Sequence, residues 1–136
     1  MDKVIEADIH FMNAGKYIPE KDNSVDVLYS SHMLEHLDKE ETDIFLREAR
    51  RVIVPGGIIR IVVPDFDNLI NEYKQSNNPE KFIYNSCLVG EKPKRLIKKI
   101  QYIIQGHCWH FNMYNKDTLI DLFKKYRFKK IKIINP

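Results

Sequence analysis

The sequence predicts an α/β fold in which a mainly parallel sheet is flanked by helices. Two observations lead to this fold class. Short runs rich in valine and isoleucine alternate along the chain with longer segments whose apolar residues recur at helical spacing. Residues 58–63 read IIRIVV, and an apolar run broken only by Arg60 is typical of a central parallel strand that is buried on both faces. This alternation predicts strand–helix–strand units, in which successive strands are parallel.

The first half of the chain contains the clearest element boundaries. Residues 4–9 and 25–29 predict short strands that are separated by a turn-rich stretch. Asp38 and Glu41 have the spacing of a capping box, which predicts a helix start at that point. We expect this helix to end at the Pro-Gly-Gly of residues 55–57, because proline cannot continue the hydrogen-bond ladder and glycine permits a left-handed turn.

The second half of the chain continues the alternation of predicted helices and strands, but the boundaries between the elements are less clear. Apolar residues at helical spacing predict helices around residues 66–73, 96–104 and 119–123. The polar and aromatic stretch 106–115 predicts a loop, and residues 128–134 predict a last strand. We expect all of these elements to form a single domain over residues 1–136.

Polar residues cluster directly after three of the predicted strands. These clusters are residues 8–10, residues 30–36 and residues 64–65. An open α/β sheet binds its ligand beyond the carboxyl ends of its strands. The sequence therefore predicts that the three clusters surround one crevice.

Composition narrows the class of protein. The 136 residues are 43% hydrophobic and 30% charged, with a net charge of +3 and two cysteines in no metal-binding spacing. No apolar run has the length of a membrane helix and no signal peptide is evident, so we expect a cytoplasmic protein without a membrane partner. Lysines and arginines are concentrated in residues 92–99 and 124–132. Solvent-exposed faces explain both clusters, and contact with an anionic partner is the more specific alternative. Without a recognition motif, these clusters do not favour a nucleic-acid binder.

Two long segments carry a family resemblance, and a third supports it. They are DNSVDVLYSSHMLEHL (residues 22–37), FLREARRVIVPGGIIRIVVPD (residues 45–65) and, more weakly, HFNMYNKDTLIDLFKKYRF (residues 110–128). In order and spacing they resemble the class I S-adenosylmethionine (SAM) methyltransferases, of the type 11-like kind. The resemblance implies a Rossmann-like fold, SAM as cofactor, and methyl transfer to a small-molecule or glycan-type acceptor.

The resemblance also implies roles for individual residues. The residues implied to bind SAM are Asp8, Ser30, Ser31 and His32, and those implied to bind the acceptor are Glu35, Trp109 and Tyr114. His36, His110 and His32 are the implied catalytic histidines, with His107 as a further candidate, because a hydroxyl acceptor needs a general base. Turn formation, helix capping, loop organisation and core packing are structural roles that also explain these residue types.

The sequence departs from the family pattern at the cofactor loop. Its five glycines, at positions 15, 56, 57, 90 and 106, form no glycine-rich loop of the kind that cradles the methionine part of SAM. We therefore expect a partial fold that lacks the first two strands of the family and binds SAM no tighter than about 1 mM. A homodimer, or a second chain that supplies the missing strands, would complete the sheet. The alternative is a degenerate, non-catalytic domain that acts as a binding or assembly module.

A zinc peptidase is a rival interpretation of one motif. Residues 32–36 fit the pattern H-x-x-E-H of inverted zinc peptidases, in which both histidines lie on one helix. Here the motif follows a strand directly, and the predicted helix begins only at Asp38. The sequence therefore predicts no metal site.

Overall fold

The computed structural model describes residues 12–87 and 110–134. In chain order, these residues form strand β1 (Val25–Ser31), a single 3₁₀ turn (Leu34–His36), helix α1 (Lys39–Val52) and strand β2 (Ile53–Val62). Helices α2 (Phe66–Ser76), α3 (Pro79–Asn85) and α4 (Lys116–Lys125) follow. The predicted α/β class is confirmed in this coarse form. The strand predicted over residues 4–9 and the helix predicted over residues 96–104 lie outside the described residues.

Helix α1 begins as its sequence predicts. Asp38 Oδ1 accepts a hydrogen bond from the Glu41 backbone amide at 2.8 Å, and Glu41 Oε2 accepts one from the Asp38 amide at 3.2 Å. The capping box is therefore confirmed. The helix turns one apolar stripe toward the core, where Phe45, Leu46, Ala49 and Val52 are buried.

The two strands are parallel neighbours, but the start of β2 differs from the prediction. The backbone becomes extended at Ile53, so α1 ends ahead of the Pro-Gly-Gly and β2 already contains it. Val25 pairs with Ile53 whereas Val27 pairs with Ile58, so β2 bulges over residues 54–57. Gly56 has a φ of 88°, which confirms the predicted left-handed glycine at this point. The bulge allows the chain to enter the sheet immediately after the helix, which the helix-stop signal alone does not reveal.

The expectation that the β2 strand is buried on both faces is wrong for the described residues. Leu28 and Ile59 pair with each other and pack against the core. The pairs on either side of them, Val27 with Ile58 and Tyr29 with Arg60, face outward. Val27, Tyr29 and Ile58 are 59%, 61% and 60% exposed. The buried stripe of α1 faces a core that lies on one side of the two-stranded sheet, which leaves the other side uncovered in the part of the chain that is described.

The expectation of a strand over residues 128–134 is also wrong. This segment has no strand pairing with any described part of the chain, although Phe128 and Ile131 pack against the core cluster. Arg127 and Lys130 adopt positive φ angles of 64° and 54°, which interrupt the extended backbone that a strand needs. The alternation of apolar and basic residues here reflects packing against the core without sheet formation.

The C-terminal helix is confirmed and is anchored to α1. Asn115 caps α4 by accepting a hydrogen bond from the Thr118 amide at 3.0 Å. At the other end of α4, the Tyr126 hydroxyl donates a hydrogen bond to Asp43 Oδ1 on α1. Helix α3 was not predicted, although Asn78 at its N-cap and Pro79 at its first position are ordinary start signals. In the described ranges, no helix is long and apolar enough to cross a membrane.

Candidate functional site

A cavity of about 360 Å³ lies beyond the carboxyl ends of β1 and β2. It is bounded by the 3₁₀ turn, the Pro64-Asp65 connection, helix α2 and residues 110–114. The polar side chains among the described residues that line it are Glu35, Asp65, Asn68, Glu72, Asn85, Ser86, His110, Asn112 and Tyr114. Two of the three predicted polar clusters, residues 30–36 and 64–65, therefore contribute to one crevice. The third, residues 8–10, lies outside the described residues.

Backbone hydrogen bonds join segments that are far apart in the sequence. The Phe111 and Asn112 amides both donate to the Glu35 carbonyl oxygen, at 2.8 and 3.1 Å. Asn112 Nδ2 donates to the Leu37 carbonyl oxygen at 2.5 Å. The Phe66 amide donates to the Tyr114 carbonyl oxygen at 2.9 Å, beside a parallel bridge between Asp65 and Tyr114. These bonds fix residues 110–114 against both strand ends, which is why His110 reaches the cavity.

Glu35 is a buried carboxylate at the cavity wall. Only 1% of the residue is exposed, and neither carboxylate oxygen has a hydrogen-bond partner among the described residues. His32 Nδ1 lies 3.3 Å from Glu35 Oε1, which is close enough for an ion pair but lacks hydrogen-bond geometry, and the His32 side chain is 65% exposed. A buried charge without full compensation is costly, so Glu35 requires a cation, a proton or a donor from a ligand.

His36 and His110 are neighbours of Glu35. Their ring centroids are 4.9 Å apart and the rings meet edge to face at 68°. Burial, followed by the proximity of His36, lowers the pKa of His110 below its usual value of 6.5. His110 is therefore a neutral imidazole at neutral pH, the form that accepts a proton or binds a metal ion. Glu35, His36 and His110 each offer one ligand atom, and these atoms lie within 4.8 Å of one another.

The residues predicted to bind the cofactor lie beside the cavity, at the end of β1. Ser30 is buried and its hydroxyl has no hydrogen-bond partner in the described part of the chain, whereas Ser31 is exposed. His32 adopts a positive φ of 50°, which is uncommon for a residue with a side chain. Asp8, His107 and Trp109 lie outside the described residues. None of Ser30, Ser31 and His32 lines the cavity.

Tyr114, which was predicted to bind the acceptor, lies in the cavity wall. Burial raises its pKa above the usual value of 10, so its hydroxyl stays protonated and can donate a hydrogen bond.

Asp65, Glu72 and Asn112 also line the cavity; Asp65 was predicted there only as part of the polar cluster at residues 64–65, and no site role was predicted for Glu72 or Asn112. Asp65 caps α2 by accepting a hydrogen bond from the Asp67 amide at 3.0 Å, and its position after β2 was the available signal. Glu72 carries no such signal, because an exposed helix glutamate is common.

Comparison with known proteins finds a family similarity in the first half of the chain. The family model described as a methyltransferase domain matches residues 2–61, which include β1, the 3₁₀ turn, α1 and most of β2. No curated protein and no solved structure matches the chain. The match covers the motif segment from Ser30 to His36 but not the loop that carries His110. The resemblance stated from the sequence is confirmed in this form: over residues 2–61, the chain is similar to the methyltransferase domain of the class I SAM-dependent family.

Proposed function

We propose that the chain forms the acceptor side of a SAM-dependent methyltransferase site, for methyl transfer to a small-molecule or glycan-type acceptor in the cytoplasm. The observation that carries this proposal is the cavity at the strand ends, where Glu35, His110 and Tyr114 meet in a chain with a methyltransferase domain.

The charges of the cavity support a neutral or cationic acceptor. Among the described residues of its wall, the charged side chains are Glu35, Asp65 and Glu72, all of them acidic, and these would repel a phosphorylated ligand. Asn112 and Tyr114 supply the amide and phenol groups that hydrogen-bond to hydroxyl-rich molecules. A neutral sugar derivative fits this chemistry better than a sugar phosphate does.

A histidine would remove the proton of an acceptor hydroxyl. His110 is the strongest candidate for this base because it lines the cavity and a depressed pKa keeps it neutral. His36 lies directly behind it, in edge-to-face contact. His32 is the third candidate, but it is exposed and lies off the cavity.

The described residues fit only one side of SAM. The buried, unpartnered Ser30 hydroxyl at the end of β1 offers one polar contact. Gly15 cannot form a cradle, because its α-carbon packs so closely that an added Cβ would lie 2.9 Å from Glu41 Cβ. Gly56 and Gly57 lie at the amino end of β2, opposite the cavity. The described residues therefore provide no glycine cradle for the methionine part of SAM.

A non-catalytic assembly module is the second candidate function. The exposed apolar sheet face formed by Val27, Tyr29 and Ile58 favours it, because such a patch is typical of a surface that is covered by a partner. Under this alternative, the cavity would be a remnant without ligand specificity.

Two-dimensional amide NMR of the full chain tests the proposal. Titration with a neutral methyl glycoside panel should shift the amides of residues 34–36 and 110–114, and the matched sugar phosphates should shift them less. SAM should shift residues 30–32 with a dissociation constant no tighter than about 1 mM. The variant Asn112→Ala should weaken the glycoside response, and Ile83→Ala on the outer surface of α3 is the matched control.

Two results would contradict this proposal. If no glycoside shifts the cavity amides while the protein is folded, the acceptor-side assignment fails and the assembly module gains. A micromolar SAM complex would show instead that the chain holds the cofactor alone.

A further inference from the structure

We propose that Glu35, His36 and His110 form a binding site for a zinc ion. The three side chains come from the 3₁₀ turn and from a loop more than 70 residues later, and the fold brings their ligand atoms within 4.8 Å of one another. The site does not depend on the methyltransferase proposal, although it shares two histidines with it.

The buried glutamate is the first argument for a cation. Glu35 is 1% exposed, and both of its carboxylate oxygens lack hydrogen-bond partners among the described residues. Backbone bonds from Phe111 and Asn112 to the Glu35 carbonyl oxygen hold the peptide of Glu35 in place beside the cavity. A divalent cation at the carboxylate would supply the compensation that the surrounding side chains do not.

The histidine pair is the second argument. The two rings are 4.9 Å apart between centroids, a separation that allows one nitrogen of each to reach a common ion. The backbone of Ser86 makes a hydrogen bond with the His110 side chain, and such an outer bond fixes the orientation of a metal-binding ring.

The donor set selects the kind of metal. Two imidazoles and one carboxylate match the three protein ligands of open zinc sites, whereas Mg²⁺ and Ca²⁺ favour oxygen ligands alone. Glu35 and His110 both line the cavity, so an ion held between them would adjoin it. A position left open in the tetrahedral shell would be filled by water or by an oxygen of a ligand.

This ligand set differs from the H-x-x-E-H pattern of the sequence. Glu35 and His36 lie on a single 3₁₀ turn, and His32 precedes it in a left-handed conformation with a mostly exposed side chain. His110 takes the place that the motif would assign to His32. The proposed site therefore joins two distant segments and is not the helical peptidase motif.

Calorimetric titration of the metal-free full chain with Zn²⁺ tests the inference. We expect one equivalent to bind with a dissociation constant of about 1 μM or tighter. His110→Ala and Glu35→Gln should each weaken binding by more than about 100-fold, since even outer-shell changes cost 10–100-fold. Cys87→Ser is the matched control, because its exposed side chain is not part of the proposed ligand set, and it should leave the affinity within about threefold of the parent value.

Cobalt(II) supplies a second readout that does not depend on affinity. The Co²⁺ complex should show visible ligand-field bands without the near-ultraviolet band of a thiolate ligand, and His110→Ala should abolish those bands. Circular dichroism checks that each variant folds. If Glu35→Gln does not fold, His110→Ala decides the question, because His110 is only partly buried and lies in a loop.

Three results would overturn the inference: no zinc binding, binding that survives His110→Ala, or binding that is lost in Cys87→Ser. None of them would refute the acceptor-side proposal. A chain that binds no metal keeps both histidines available for proton transfer, and the glycoside titration tests that proposal separately.

Discussion

The contact between Tyr126 and Asp43 joins the carboxyl end of α4 to helix α1. The phenol donates a hydrogen bond to the carboxylate, and Arg47 pairs with the same carboxylate group at 2.9 Å. Burial first, and then the bond to Asp43, raise the pKa of Tyr126 to about 12. The hydrogen bond from Tyr126 is in turn the largest influence that lowers the pKa of Asp43 below 3.8. This pair therefore titrates far from neutral pH and holds α4 against α1 throughout the physiological range.

We predict an alkaline loss of stability that depends on Tyr126. A pKa raised above the unfolded value of 10 means that the folded state binds the proton more tightly. The resulting stability is present below pH 10 and is lost as the pH rises toward about 12. Urea unfolding across this range should show a steeper decline for the parent protein than for Tyr126→Phe. The control Tyr84→Phe removes a tyrosine that is 82% exposed, and it should decline as the parent does. Identical pH profiles for the parent and Tyr126→Phe would contradict the prediction.

Some individual residues of the candidate site could be predicted from the sequence, and others could not. Glu35, His110 and Tyr114 were predicted as site residues, because the family pattern marks them, and they meet at the cavity. Glu72 could not be found, since nothing in a solvated helix face distinguishes the one side chain that turns toward a cavity. The isolation of the Glu35 carboxylate was equally hidden, because burial and missing partners depend on which distant segments pack around the turn.

At the scale of elements, the bulge at the start of β2 places two adjacent glycines under different constraints. Gly56 has a φ of 88°, and nothing would lie within 4 Å of an added Cβ. At Gly57, an added Cβ would lie 2.7 Å from Ile53 Cγ2 and 2.8 Å from the Asp26 carbonyl oxygen. Gly56 is therefore needed for its backbone angle and Gly57 for the space beside β1.

We predict that alanine costs more at Gly57 than at Gly56. A clash with the backbone of β1 should destabilise Gly57→Ala by about 2–3 kcal/mol, because the overpacked strand must move. Gly56→Ala should cost about 1 kcal/mol, and Gly56→Asn less, since asparagine tolerates a left-handed conformation. Chemical denaturation of the three variants measures these differences. Equal costs for Gly56→Ala and Gly57→Ala, or a Gly57→Ala variant as stable as the parent, would refute the assignment.

Helices were more predictable than strands in this chain for a physical reason. The capping box at Asp38 and the spacing of apolar residues in α1 are local signals, and both agree with the structure. Strand pairing depends on distant partners, so the sequence could not reveal that residues 128–134 lack one or that one sheet face is uncovered. The bulge that draws Ile53 into β2 depends in the same way on its pairing with Val25.

At the scale of the whole molecule, the described sheet has an open face. Val27, Tyr29 and Ile58 contribute exposed apolar surface to it, with only the Arg60 guanidinium placed over the Tyr29 ring, at 5.9 Å. Within the described residues, β1 and β2 have only each other as strand neighbours. An apolar face between unpaired edges favours association with another chain, and a closed dimer uses the same surface twice.

We predict a homodimer through this sheet. Light scattering at micromolar concentration should give about twice the chain mass of 16.2 kDa. Val27→Lys should shift the protein toward the monomer, because it places a charge on the sheet face. The matched control is Ile83→Lys, which charges a residue of α3 that is 45% exposed, and it should leave the dimer intact. A monomeric parent protein, or equal effects of the two lysines, would exclude this interface.

The parallel pairing of β1 and β2 also sets a schedule for the nascent chain. No tight turn can join parallel strands, so β1 finds its neighbour only after α1 and β2 have been made. Synthesis of the residues from Ser31 to Val62 takes roughly 2–6 s at ordinary elongation rates. During that interval, the apolar strand β1 remains unpaired, whereas the capped helix α1 can already form. Slow codons within α1 would lengthen the wait, and we expect the yield of native protein to fall as aggregation competes during synthesis.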